Sequence, residues 1–226
     1  MPSSSLSLLG IPGSLRTHSY SDACLRALQT LMPQGVALNL FDPHPLPLTS
    51  NGQYLHKTRS HEASVLELKR LVRAADAVVF AVPEYPDGLS TVLNGIIDCA
   101  AYPSHDNVWV GKPVAMIGVT TNARSGTLAQ QHLRIRMLGL GMLPIEHSDV
   151  LISNAHKTLA ARPHVLDAAN SATVCEVLAE LVMATSPSVL ASFASTALRS
   201  NSQFFGERAY SDAYSDMRRW SVVQTM

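Results

Sequence analysis

The densest chemistry in the chain is carried by Ser14, Arg16, Thr17, Ser19 and Ser21, four hydroxyls and one guanidinium within a few positions. Such a set offers many hydrogen-bond donors and a single positive charge. It follows the turn signal Pro12-Gly13 and precedes Ala23, Ala27, Leu28 and Leu31, apolar residues at helical spacing. Upstream, the apolar run from Leu6 to Ile11, broken by Ser7, is long enough for a buried strand but not for a membrane span. A strand, a tight turn and a helix start focus N–H groups and the positive end of the helix dipole on one point. Arg16 adds a fork of donors there. Phosphate is the natural occupant. A second reading stands beside it: a capped turn between strand and helix whose serines only satisfy helix N–H groups.

Two further segments carry groups suited to a ligand. In Pro83-Glu84-Tyr85-Pro86-Asp87-Gly88-Leu89-Ser90 an apolar strand runs into a rigid turn, and Tyr85 offers a flat face to a ring-shaped ligand. A plain turn with a tyrosine on its rim accounts for it equally. Thr120-Thr121-Asn122-Ala123-Arg124-Ser125-Gly126 is rich in hydroxyls and amides ahead of a helix. Its alternative is an ordinary N-cap at Ser125 or Thr127. His44, His56 and His61 lack metal-ligand spacing and read as parts of a solvated loop.

The elements that must position these groups alternate. Residues 36–41 suit a second strand, and the Pro- and Ser-rich segment 42–61 a long surface loop. Residues 62–75 form an amphipathic helix, and 76–82 an unbroken apolar strand of the kind covered on both faces. A helix over 91–101, a buried strand over 113–119, a helix over 128–140, a last strand over 145–152 and a helix over 164–183 complete the series. This pattern predicts an α/β fold, a doubly wound, five-stranded parallel sheet with helices on both faces. Ligands of such sheets sit beyond the carboxyl ends of the strands, where strand order reverses. The loops after the first, third and fourth strands are therefore expected to carry the chemistry.

Composition sets the outer bounds. The 226 residues suit one ordinary domain, expected over residues 1–186, with 187–226 as a Ser- and Ala-rich C-terminal extension, either a tail or an arm that packs in an oligomer. Seventeen basic residues balance seventeen acidic ones, which argues against nucleic acid or an acidic membrane surface as partner. Only 15% of residues are charged, a lean surface that favours a homo-oligomer. Cys24, Cys99 and Cys175 are odd in number and form no close pair, so they are expected as free thiols in a reducing compartment. With no signal-peptide pattern, a cytoplasmic protein is expected.

Taken in order, the three segments resemble the NAD(P)H-dependent FMN reductase family, flavodoxin-like proteins that include quinone, azo-dye and chromate reductases. Gly13-Ser14-Leu15-Arg16-Thr17-His18-Ser19 matches the family's G-S-L-R-x-x-S phosphate loop at every defined position. Pro83-Glu84-Tyr85, with Leu93 and Ile97-Asp98 downstream, matches the skeleton of its P-E-Y-N segment. Gly111-Lys112-Pro113-Val114-Ala115, leading to Thr120 and Gly126, looks like its G-K-P strand and the flavin-contacting loop after it. Gln130, Leu133 and Arg134 continue the similarity, which runs from about residue 6 to residue 185.

The resemblance implies FMN as cofactor, NAD(P)H as co-substrate and a small-molecule electron acceptor, in a homodimer or homotetramer. Ser14, Arg16 and Ser19, with Ser21 where the family has Asn, would hold the FMN phosphate. Pro83, Glu84, Tyr85, Pro86 and Asp87 would line the flavin ring, and Thr120, Thr121, Asn122 and Ala123 its other side. Hydride passes directly between stacked rings, so no catalytic side chain is assigned. The acceptor would be free flavin, a quinone or a similar molecule. The alternatives are an FMN enzyme specialised for one biosynthetic substrate and a flavin-binding partner protein without turnover. The departures concentrate at the ring: Pro86 replaces Asn and lacks an N–H, and Asp87 begins an altered segment. A carboxylate at the flavin pyrimidine edge would lower the flavin potential.

Overall fold

Leu6–Pro12 forms β1, whose apolar side chains are buried because the strand is paired on both sides and covered on both faces. This computed structural model describes residues 6–46, 48, 59–85, 88–122, 127–146, 150–161 and 166–185. In chain order β1 is followed by α1 (Tyr20–Thr30), β2 (Val36–Leu40), α2 (Arg59–Ala74), β3 (Ala77–Pro83) and α3 (Thr91–Ala101). Then come β4 (Pro113–Val119), α4 (Thr127–Gly139), β5 (Leu143–Pro144), β6 (Val150–Ile152), α5 (Ala155–Ala161) and α6 (Ala168–Thr185). All strand pairs are parallel, in the order β2-β1-β3-β4-β5, with β6 also on β4. Strand order reverses between β1 and β3.

The apolar run of β3 shows how one strand feeds two cores. Ala77, Val79 and Ala81 point to the layer of α1, α5 and α6, while Val78, Phe80 and Val82 point to the layer of α2, α3 and α4. Helix α1 buries Cys24, Leu25, Ala27 and Leu28, and α3 buries Val92, Leu93, Ile96 and Ile97. Both are amphipathic or apolar enough to dock on a sheet face, which provides most of their stability.

The structure differs from the sequence expectations in four places. The fifth strand is not one element over 145–152 but two short ones. Pro113 and Val114 pair with Leu143 and Pro144, and Ile117 to Val119 with Val150 to Ile152. The ladder runs one residue past Pro144, with the Ile145 N–H donating to the Val114 carbonyl at 3.0 Å, and the sequence Glu146-His147-Ser148-Asp149 offers no apolar alternation to join the two pieces. The last helix starts at Ala168 rather than 164, because Asp167 Oδ1 accepts the Asn170 N–H at 2.9 Å and sets the cap there. The short helix α5 was not expected; it offers too few apolar residues to show a period. Helix α2 begins at Arg59, so its first turn takes the end of the expected 42–61 loop. Residues 187–226 lie outside the described residues.

Candidate functional site

Gly13 joins the first strand to the third: its N–H donates to the Ala81 carbonyl at 2.9 Å. No side chain fits there, since a Cβ would lie 2.3 Å from Pro83 Cδ and 2.9 Å from the Ala81 oxygen. Ser14 Oγ accepts the Arg16 N–H at 3.2 Å. Ser19 caps α1, its Oγ accepting the Ser21 N–H at 3.2 Å. Ser21 is buried in the first turn of α1, with that N–H committed to the cap.

Three carbonyls of this turn are held from elsewhere: Gly13 O accepts from Ser90 Oγ at 2.9 Å, Leu15 O from His44 Nε2 at 3.2 Å, and Ser19 O from Ala23 N–H at 3.0 Å. Several of its donors stay open. Among the described residues the N–H groups of Leu15, Thr17, His18 and Ser19, and the exposed Arg16 guanidinium, have no acceptor. A helix start with open N–H groups and a guanidinium beside them suits an anion.

The other two segments meet at the carboxyl ends of β3 and β4, where Pro83 pairs with Val119. Glu84 N–H donates to the Val119 carbonyl at 3.3 Å. The Glu84 carboxylate accepts a short hydrogen bond from the Thr120 hydroxyl and a longer one, 3.4 Å, from Asn122 Nδ2. Asn122 N–H in turn donates to Thr120 Oγ1 at 3.0 Å. Thr120 is buried and anchored from behind, its N–H donating to Ile152 O at 3.0 Å and its carbonyl accepting from Ala155 N–H at 2.9 Å. Tyr85 is half-buried, and its carbonyl accepts the Gly88 N–H at 3.1 Å. Thr121 is exposed beside this network, and Pro86, Asp87 and Ala123 lie outside the described residues. Adjacent strands lie about 4.8 Å apart, so Gly13, Glu84 and Thr120, at the ends of β1, β3 and β4, fall within about 10 Å of each other along one edge.

Residues 6–157 match the model of the NADPH-dependent FMN reductases. The chain belongs to that family. An NAD(P)H-dependent FMN reductase of Pseudomonas aeruginosa is 34% identical over 165 residues, covering 73% of this chain and 87% of its own. A quinone reductase of Pseudomonas putida is 30% identical over 148 residues, covering 64% of this chain and 76% of its own. Among solved structures, the flavoenzyme NAD(P)H:(acceptor) oxidoreductase FerB of Paracoccus denitrificans superposes with a TM-score of 0.65 at 26% identity, covering 79% of this chain and 97% of its own. The protein is accordingly an oxidoreductase with FMN as cofactor and NAD(P)H as co-substrate.

The residues present in this family member fit that cofactor. The open donors of the β1–α1 turn match a phosphate dianion, and the half-buried Pro83 and Tyr85 at the end of β3 suit a flat ring. When bound, FMN supplies the hydride and electron chemistry, and the protein supplies position. The free thiols stand apart from it. Burial pushes Cys24 and Cys99 up to about 12 and raises Cys175, so all three are protonated, weak nucleophiles near neutral pH.

Sequence reasoning missed three residues that support this site. Ser90 is buried, caps α3 through the Leu93 N–H at 3.1 Å and holds the Gly13 carbonyl. Its signal was a serine directly before a helix, which the resemblance passed over. Gly88, at φ +101, lies so close to His132 on α4 that a Cβ would fall 2.1 Å from Nδ1. His44, expected as one of several solvated histidines, is exposed yet reaches the Leu15 carbonyl. The last two have no sequence signal, because each contact joins separate elements.

Proposed function

We propose that the β1–α1 turn holds the FMN phosphate through Ser14, Arg16, Ser19 and the N–H groups between them. The flavin ring then lies along the crevice lined by Pro83, Glu84 and Tyr85 on one side and Thr120, Thr121 and Asn122 on the other. Pro86, Asp87 and Ala123, outside the described residues, are assigned to the flavin by the resemblance alone. NAD(P)H reduces the bound flavin, and the electrons pass to free flavin, a quinone or a similar small acceptor. The observation that carries this reading is the cluster of open N–H groups and the exposed Arg16 guanidinium where β1 hands over to α1.

The test compares FMN with riboflavin, which lacks the phosphate, by quenching of flavin fluorescence. Wild type is expected to bind FMN far more tightly. Arg16→Ala should lose about 10- to 100-fold in FMN affinity, the value of one or two hydrogen bonds to a charged group, and nothing in riboflavin affinity. Equal weakening of both ligands would place the phosphate elsewhere.

We infer further that the enzyme works as a homodimer or homotetramer. The apolar residues of α3 are spent in its own core, which leaves α4 for the contact. Leu128, Ile135 and Leu138 are exposed along α4, with Val110 and Leu143 exposed at its far end. Sedimentation should show the wild type as an oligomer and Ile135→Glu shifted toward monomer. Free thiols throughout suit the reducing cytoplasm, and no described helix is long and apolar enough to cross a membrane.

A further inference from the structure

His44 sits just beyond β2, on a segment fastened beside β1 by the Phe41 N–H, which donates to Gly10 O at 2.9 Å. Its Nδ1 lies 2.6 Å from Asp42 Oδ1 and its Nε2 lies 3.2 Å from the Leu15 carbonyl oxygen. A carboxylate and a carbonyl only accept. Both ring nitrogens must therefore donate, which requires the doubly protonated imidazolium. Asp42 Oδ1 also accepts the His44 N–H at 3.0 Å, fixing the ring's own backbone.

The held carbonyl belongs to a rigid peptide plate. In a trans peptide the C=O and the next N–H point to opposite sides. Turning the Leu15 carbonyl toward His44 turns the Arg16 N–H away from it, onto Ser14 Oγ at 3.2 Å. With that lone pair occupied, the Ser14 hydroxyl proton is free to donate outward. We propose that His44, as an imidazolium bridging Asp42 and Leu15, is a positioning residue that aims the phosphate turn at its anion. This rests on the assignment of the turn to the FMN phosphate.

The charged groups around the ring are Asp42 ahead of it and Asp22 on α1, itself ion-paired with Arg26 at 2.7 Å, while the turn carries Arg16 and His18. The hydrogen bond that His44 donates to Asp42 dominates and raises the His44 pKa above its ordinary value. The contribution is therefore complete at pH below the usual histidine range and is lost as pH rises through the raised value.

The experiment measures FMN and riboflavin dissociation constants from about pH 6 to about pH 9 for wild type, His44→Gln and Asp42→Asn. Ionisation of the FMN phosphate acts equally on all three proteins, so ratios to wild type remove it. His44→Gln is expected to bind FMN roughly two- to fivefold more weakly at the acid end, consistent with an exposed ion pair, and to converge on wild type at the alkaline end. Riboflavin binding should not change. Asp42→Asn should move the loss of the wild-type advantage to lower pH. A ratio that is flat with pH, or equal weakening of riboflavin, overturns the role of His44 while leaving the phosphate assignment standing. A wild type that does not prefer FMN to riboflavin overturns both.

Discussion

The turn after β1 and the loop pair after β3 and β4 lie along the same edge of the sheet, yet they are organised in opposite ways. In the turn, three carbonyls are held by Ser90, His44 and Ala23, while among the described residues the N–H groups of Leu15, Thr17, His18 and Ser19 and the Arg16 guanidinium are left open. In the loop pair, polar groups satisfy one another: the Glu84 carboxylate takes Thr120 and Asn122, and Thr120 takes the Asn122 N–H. The first region has donors to offer an anion, whereas the described part of the second is held together by its own hydrogen bonds. On the proposed reading, phosphate anchoring draws on open donors and ring binding on a preformed surface.

The sharpest way to break this division is at Gly13, where the two regions touch. Gly13→Val forces a side chain into Pro83 and the Ala81 carbonyl. It is expected to lower stability in urea by about 2–3 kcal/mol and to abolish FMN binding, because the turn and the wall can no longer share a position. Retained FMN affinity would mean that the two regions work independently.

Ser90→Ala should cost less. It removes the N-cap of α3 and the donor to Gly13 O together. About 1–2 kcal/mol of stability is expected to go, read from the urea midpoint. FMN affinity should fall more than riboflavin affinity, since the turn loosens and the wall does not.

Thr120→Val sharpens the contrast from the other side and has the smallest expected effect on binding. It deletes the hydroxyl between Glu84 and Asn122 and leaves the packing nearly unchanged. FMN affinity should change by less than about threefold, whereas the flavin absorption bands and the reduction potential should move, as Glu84 reorients next to the ring. A variant with a tenfold affinity loss and unshifted bands would place Thr120 at the phosphate instead.

How much was legible follows from how each feature is encoded. The central strands stood out because Leu6–Pro12, Ala77–Pro83 and Pro113–Val119 are apolar on both faces, a pattern that only a covered parallel strand explains. The fifth strand misled because a parallel ladder tolerates an interruption at its edge, and Pro144 followed by a polar run gives no period to read. Ser14, Arg16 and Ser19 were legible as a polar turn ahead of a helix because a turn and the helix it feeds are contiguous in sequence. Ser90 and His44 were not, since their partners, Gly13 and Leu15, lie in another element.

By itself the sequence determined where the chain turns from strand to helix and that hydroxyls and a guanidinium gather there. Those are local properties of backbone geometry and side-chain chemistry. Only the tertiary structure decided which of the turn's groups are spent and which remain, because that balance is set by partners on β3, α3 and the segment after β2. Hydrogen bonds between distant segments carry no periodicity, so the donor side of the turn became visible only once the sheet had brought its neighbours into place.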